Sequence, residues 1–173
     1  MNPESKPQPP LGQAISPKQL AFSTFTGFVA LGFGSGLTPK APGTAGSLAA
    51  LVLAVPLQLL SPVWYGLVVV AAFALGVYCC EVTSRRMALQ DPGAIVWDEV
   101  VSMWLVLAFV PASIGWWFGA FLLFRLFDIA KPWPIRWLDQ TMKGGAGIMC
   151  DDLLAAAYAI ALLVLAQRFL PFN

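Results

Sequence analysis

From Leu20 to Phe169 the chain reads as long apolar runs separated by short polar or proline-containing breaks. The runs fall at about 20–33, 45–60, 63–84, 97–110, 115–130 and 152–169. Most approach the roughly 20 residues that a helix needs to cross hydrocarbon at about 1.5 Å per residue. Breaks at Ser61-Pro62 and at Pro111-Ala112-Ser113-Ile114-Gly115 separate two pairs of runs, which predicts two helical hairpins and a final helix. The expected fold is therefore all-α: a multi-pass membrane helical bundle, with residues 19–173 forming a single membrane-embedded domain. Residues 1–18 are polar and proline-rich and lack the basic start and apolar core of a signal peptide, so they read as a flexible tail. The chain has no internal repeat.

Composition strengthens the membrane reading. The chain is 58% hydrophobic and 11% charged, with a mean hydropathy of +0.74, whereas soluble domains are about a quarter charged. A net charge of +1 gives no support to a nucleic-acid partner. Seven Trp and three Tyr suit interfacial anchoring. Histidine is absent, which removes imidazole as nucleophile, general base or metal ligand. Cys79, Cys80 and Cys150 are too few and too oddly placed for a disulfide framework, and suit a reducing face or a membrane interior.

Charge placement orients the bundle. Lys40, Arg85, Arg86, Lys131, Arg136 and Lys143 all fall on one side of the hairpin arrangement, and the turns on the other side carry no Lys or Arg; only Arg168 lies opposite. The positive-inside rule puts the charged side in the cytoplasm. A full crossing by residues 20–33 would place Lys40 and Arg85 outside, so that first run is expected to be re-entrant or interfacial. Asp98, Glu99, Asp128, Asp139, Asp151 and Asp152, six of the nine acids, lie at the cytoplasmic helix ends or in the loop between them. Carboxylates from three hairpin ends thus converge on one membrane face.

Four stretches could carry chemistry. In IVWDEVV, Asp98 and Glu99 start a helix; the helix dipole accounts for one acid, but neighbours point about 100° apart, so at least one faces the bundle. In FRLFDIAKPWPIRWLDQ, Arg125, Asp128 and Lys131 share one helical face before Pro132 and Pro134 end the helix. That face is either an ion network or a carboxylate metal ligand flanked by cations for an anionic substrate. In KGGAGIMCDDLL, Gly144 and Gly145 allow close approach to a phosphate at a helix N-terminus, yet Asp151 and Asp152 would repel it. A divalent cation such as Mg²⁺ between them reconciles the two; the plainer alternative has one Asp capping the helix and the other solvated. In GFGSGLTPKAPGTAGSLAA, Thr44 or Ser47 either caps a helix or belongs to a glycine-rich lid presenting N–H groups and Lys40; no GKS or GKT follows, so it is not a Walker loop. Cys79 and Cys80 each fit the C-x5-R spacing of cysteine phosphatases, but a glycine-free helix cannot wrap a phosphate, and that match is rejected.

Together, GFGSGLTPKAPGTAGSLAA, IVWDE, FRLFDIAKPWPIRWLD and GGAGIMCDD resemble the phosphatidylglycerophosphatase A family of bacterial inner-membrane lipid phosphatases, over roughly residues 28–160 and in the same order. The resemblance implies hydrolysis of the phosphate monoester of phosphatidylglycerol phosphate to phosphatidylglycerol and inorganic phosphate, Mg²⁺ dependence and a multi-helical fold; the charge placement adds an active site at the cytoplasmic face. It matches Asp98 and Glu99 to the family's WDE, Asp128 and Lys131 to its D-x-x-KPWP, Arg136 and Asp139 to the segment after it, and Asp151 and Asp152 to its final DD. A mechanism consistent with both the resemblance and the converging acids has one or two Mg²⁺ held by Asp98, Glu99, Asp128, Asp151 and Asp152, with Glu99 orienting water. Lys131 and Arg136 stabilise developing charge, and Lys40, Thr44, Arg125, Gly144 and Gly145 contact substrate. A small ion-coupled transporter or channel subunit is the competing class; it calls for acids near the membrane midplane and inverted repeats. A phosphotransferase of similar layout would need several Asp at three- and four-residue spacings, which the chain lacks.

Overall fold

The computed structural model describes residues 15–88 and 93–169, and has no strand among them. Most of the expected tail therefore lies outside the described residues. Of its last four, the Ile15 N–H donates to Arg86 O (3.1 Å) and Ser16 caps α1 (Pro17–Ser23). The chain continues through α2 (Phe25–Ala30), an irregular 3₁₀ turn at Gly32–Leu37, α3 (Pro42–Leu57), α4 (Pro62–Met87), α5 (Trp97–Leu107), α6 (Ile114–Ala130), α7 (Ile135–Thr141) and α8 (Gly144–Phe169).

The first apolar run does not form one helix. Thr24 adopts an extended conformation and its hydroxyl serves both sides of the break: Oγ1 donates to Leu20 O (3.0 Å) and accepts from the Gly27 N–H (3.1 Å). The resulting α1 and α2 have 7 and 6 residues, about 10 Å each, so neither can cross a bilayer.

The remaining long runs form helices close to where the pattern places them, with one exception. The last helix starts at Gly144, eight residues before the apolar run, so Asp151 and Asp152 sit about two turns inside α8 rather than at its mouth. Thr44 and Ser47 do not cap α3 either: its N-cap is Ala41, with no side-chain hydrogen bond, and the Ser47 hydroxyl donates to Gly43 O.

α5 is the centre of the bundle, and ten of its eleven residues are buried. It is enclosed by the other helices, and three hydrogen bonds fix its depth. Trp97 Nε1–H donates to Ala72 O on α4, Trp104 Nε1–H to Ala50 O on α3, and Tyr65 OH on α4 to Trp104 O. Successive helices alternate in direction, so α3, α5 and α8 begin, and α4 and α6 end, at the same end of the bundle. At the other end Gln167 Nε2–H donates to Phe109 O, joining α8 to the turn after α5.

α4 and α8 are long and apolar enough to cross a membrane. The outside of the bundle is apolar as well, with Val52, Val63, Val70, Phe118, Leu126 and Leu165 exposed.

Candidate active site

The converging helix ends enclose a cavity of about 620 Å³. Its wall holds six acids (Asp98, Glu99, Asp128, Asp139, Asp151, Asp152) and three bases (Arg125, Lys131, Lys143). That excess of negative charge would repel a phosphate unless a cation intervened.

The deepest acids come from two helices. Central α5 delivers Asp98 and Glu99 on its first turn, and α8 delivers Asp152 beside them; all three are buried. One oxygen from each lies within 4.8 Å of the other two, an arrangement that could hold a metal ion. Bare carboxylates at that spacing repel by about 3–4 kcal/mol per pair at an effective dielectric near 20. Asp98 Oδ1, Glu99 Oε2 and Asp152 Oδ2 are buried without a hydrogen-bond partner among the described residues, an expensive condition for any polar atom.

Arg125 on α6 reaches this cluster from the side. It ion-pairs with Asp128 one turn on, as the three-residue spacing predicts, and its Nη1 lies 3.6 Å from Glu99 Oε1. Gly43 on α3 makes room for both groups: a Cβ there would overlap Glu99 Oε1 and stand 2.9 Å from Arg125 Nη1.

Lys131 departs from expectation. The shared helical face predicts a pair with Asp128, but the chain turns left-handed at Lys131 (φ 40°). Its Nζ is thereby carried to Asp139 (2.9 Å) and Asp151 (2.7 Å). Burial alone would pull the Lys131 ammonium below its ordinary value, but its bonds to Asp151 and Asp139 outweigh that and hold it above. Asp151 is thus neutralised by a lysine and stands outside the three-acid cluster, unlike its neighbour Asp152.

The glycines before α8 bring helices together. The Gly145 N–H donates to Glu81 Oε2 of α4 (2.5 Å), and Glu81 Oε1 pairs with Arg85 Nε (2.5 Å). A Cβ at Gly145 would run into Val77 O of α4, so the residue is glycine because two backbones meet there. With its N–H bonded to Glu81, Gly145 has none to offer a phosphate.

Of the residues singled out from sequence, Asp98, Glu99, Arg125, Asp128, Lys131, Asp139, Gly144, Asp151 and Asp152 line the cavity, whereas Lys40, Thr44, Arg136 and Gly145 do not. Lys40 and Arg136 are exposed. Cys79 and Cys80 are fully buried and absent from the cavity wall, in keeping with rejection of the cysteine pattern. Sequence reasoning missed Gly43, Glu81 and Lys143. Gly43 and Lys143 stood inside the quoted motifs, but no spacing marked them. Glu81 lay in the rejected C-x5-R stretch.

No solved structure matches the chain. Phosphatidylglycerophosphatase A of Escherichia coli is 41% identical over 165 residues, covering 95% of this chain and 96% of the relative. That of Haemophilus influenzae is 48% identical over 144 residues, 82% and 88% of the two chains. A putative phosphatidylinositol-3-phosphatase of Bacteroides thetaiotaomicron is 40% identical over 148 residues, 80% and 91% of the two chains. The phosphatidylglycerophosphatase A family profile matches residues 28–167, which include every acid of the cavity. The chain belongs to the phosphatidylglycerophosphatase A family.

Proposed function

We propose that this protein is a multi-pass membrane enzyme that hydrolyses the phosphate monoester of phosphatidylglycerol phosphate, releasing phosphatidylglycerol and inorganic phosphate, with Mg²⁺ held by Asp98, Glu99 and Asp152. The observation that carries the reading is the buried three-acid cluster at the base of a wide cavity, in a chain whose relatives are named for this activity. The orphaned carboxylate oxygens fit a hard divalent ion, which takes oxygen ligands and keeps sites open for water and phosphate. When bound, Mg²⁺ supplies charge to the phosphoryl oxygens and lowers the pKa of an attacking water.

The side chains divide the remaining work. Asp98 and Asp152 provide negative charge from two different helices, α5 and α8. Glu99, steadied on one oxygen by Arg125, turns the other into the cluster, where it would hold the ion and also orient the water beside it and take its proton. The water oxygen bonds to phosphorus, the P–O bond to the lipid alcohol breaks, and the alcohol leaves with the proton that Glu99 took from the water. Arg125 stays on its two carboxylates, Asp128 and Glu99, and lends positive charge to that side of the cluster without leaving them. Lys131 keeps Asp151 paired, so that this acid adds no unbalanced charge beside Asp152.

The site faces the cytoplasm in this account. Lys40, Arg85, Arg86, Arg136 and Lys143 cluster at its end of the bundle, and the opposite turns carry no Lys or Arg. α4 and α8 cross the membrane with α3, α5 and α6 beside them, and the lipid's acyl chains stay in the bilayer. An ion-coupled transporter calls for broken helices at the midplane, but α8 runs unbroken with its acids in its first third.

The test is phosphate release in detergent micelles containing phosphatidylglycerol phosphate or, in parallel, phosphatidylinositol 3-phosphate. The account expects Mg²⁺-dependent release from the former and its loss in Asp98→Asn. Preferential release from the latter would move the substrate to the inositol lipid, and release surviving EDTA would remove the metal.

A further inference from the structure

Two phosphates make the proposed substrate unusual: a terminal monoester, which is cleaved, and an internal diester, which links the head group to diacylglycerol and survives. The buried acids with their metal account only for the first. The diester also carries a negative charge, and a cavity with twice as many acids as bases must give it a cation of its own.

Four cations were candidates from the sequence, and the geometry disposes of them in pairs. Lys40 and Arg136 do not line the cavity. Arg125 is bound to Asp128 and Glu99, and Lys131 to Asp139 and Asp151. Either would have to break carboxylate bonds in a half-buried setting before it could take a phosphate. Lys143 is different. It lines the cavity, it is exposed, and it has no ion pair among the described residues. It stands on the α7–α8 connection, directly before Gly144 (φ 74°), whose left-handed turn starts α8. α8 then carries Asp152 down to the buried cluster. The residue directly before α8 is therefore a cation at the rim with no ion pair among the described residues, and the helix it leads into bears an acid of the cluster at the base. Gln140 of α7 also lines the cavity and supplies a neutral donor.

We infer that Lys143 is the specificity-determining residue for the diester: its ammonium binds the phosphodiester of the lipid while the monoester occupies the acid cluster below. The inference rests on the phosphatase reading above and names the part of the substrate that reading leaves unbound. Lys143 touches neither the water nor the breaking bond, so its removal weakens substrate binding and leaves the chemical step intact.

Product competition separates the two phosphate sites, because one product keeps each phosphate. Phosphatidylglycerol retains the diester, and inorganic phosphate represents the monoester. Initial rates on phosphatidylglycerol phosphate in mixed micelles with saturating Mg²⁺ would be measured for wild type, Lys143→Gln and Lys143→Arg, each with either product added. Loss of one charge-assisted phosphate contact at an exposed rim is worth about tenfold in affinity. Lys143→Gln should therefore raise KM and the inhibition constant for phosphatidylglycerol by about tenfold, leave kcat and the constant for inorganic phosphate in place, and be rescued by Lys143→Arg. A rise confined to inorganic phosphate would put Lys143 on the transferred group and overturn the inference. So would equal rises for both products, or no change for either. A wild type that releases no phosphate from this lipid would instead defeat the phosphatase reading itself.

Discussion

Gly43→Ala separates the stability of the fold from the alignment of the site. Gly43 lies on the first turn of α3 at a helical, unstrained backbone position, where alanine in place of glycine favours the helix by about 0.5–1 kcal/mol. Its added Cβ would stand 2.2 Å from Glu99 Oε1 and 2.9 Å from Arg125 Nη1. Both are ends of flexible side chains, so they move and the helices do not. To reach ordinary contact near 3.4 Å, the Glu99 carboxylate must withdraw by about 1 Å, and a misplacement of that size at a reacting centre costs on the order of 100-fold in rate. The variant should keep or gain thermal stability while kcat/KM for phosphate release falls about 100-fold. Gly66→Ala, whose added Cβ meets nothing within 4 Å, serves as the control with unchanged kcat/KM. A Gly43→Ala enzyme within threefold of wild type would refute the claim that Glu99 works from its observed position. A loss of activity that merely followed a lowered Tm would refute it equally.

Three further outcomes follow from the same geometry. Asp152→Asn removes one of three mutually repelling carboxylates, so in EDTA it should be more stable than wild type by about 2 kcal/mol, while Mg²⁺ should raise the wild-type Tm but not the variant's. Lys131→Met leaves Asp151 buried and unpaired and should cost about 2 kcal/mol by denaturant titration. Because the Lys131 ammonium is held above its ordinary value, its stabilisation is complete below about pH 10.4 and is lost as pH rises through the folded-state value. The gap between wild type and variant should therefore be constant from neutral pH to about pH 9 and narrow above about pH 10.4. Glu81→Ala strips the Gly145 N–H of its acceptor and should cost about 1 kcal/mol, as loss of a helix cap does, with faster hydrogen exchange in the first turn of α8; Glu81→Gln, which keeps an acceptor oxygen, should restore most of the protection.

Much of the helical layout was legible because apolar run length and proline-bearing breaks speak directly about helices. The exceptions have local causes. The run at 20–33 is apolar throughout, yet Thr24 offers its hydroxyl to backbone on both sides and divides it. The start of α8 was placed eight residues late because a glycine-rich segment is a poor helix former by propensity, and the packing of Gly145 against α4 overrides that preference. Asp98, Glu99, Asp128 and Asp152 were recognisable as acids at converging helix ends. What periodicity could not foresee was the left-handed turn at Lys131, which carries its ammonium from Asp128 to Asp139 and Asp151. Glu81 was invisible for a related reason: its partner lies 64 residues away, and no single-chain pattern announces such a contact. Gly43 and Lys143 acquire meaning only from what they adjoin, a carboxylate in one case and an unfilled need for positive charge in the other.

Direct ion binding tests, without recourse to catalysis, whether Asp98, Glu99 and Asp152 form a cation site. Mn²⁺ uptake by the detergent-purified protein, followed by electron paramagnetic resonance and competed with Mg²⁺, would be compared for wild type, Asp98→Asn, Glu99→Gln and Asp152→Asn. The account predicts saturable uptake that Mg²⁺ displaces and that each variant weakens at least tenfold with helix content unchanged. Wild-type protein that takes up no Mn²⁺, or variants that bind it as well as wild type does, would contradict it.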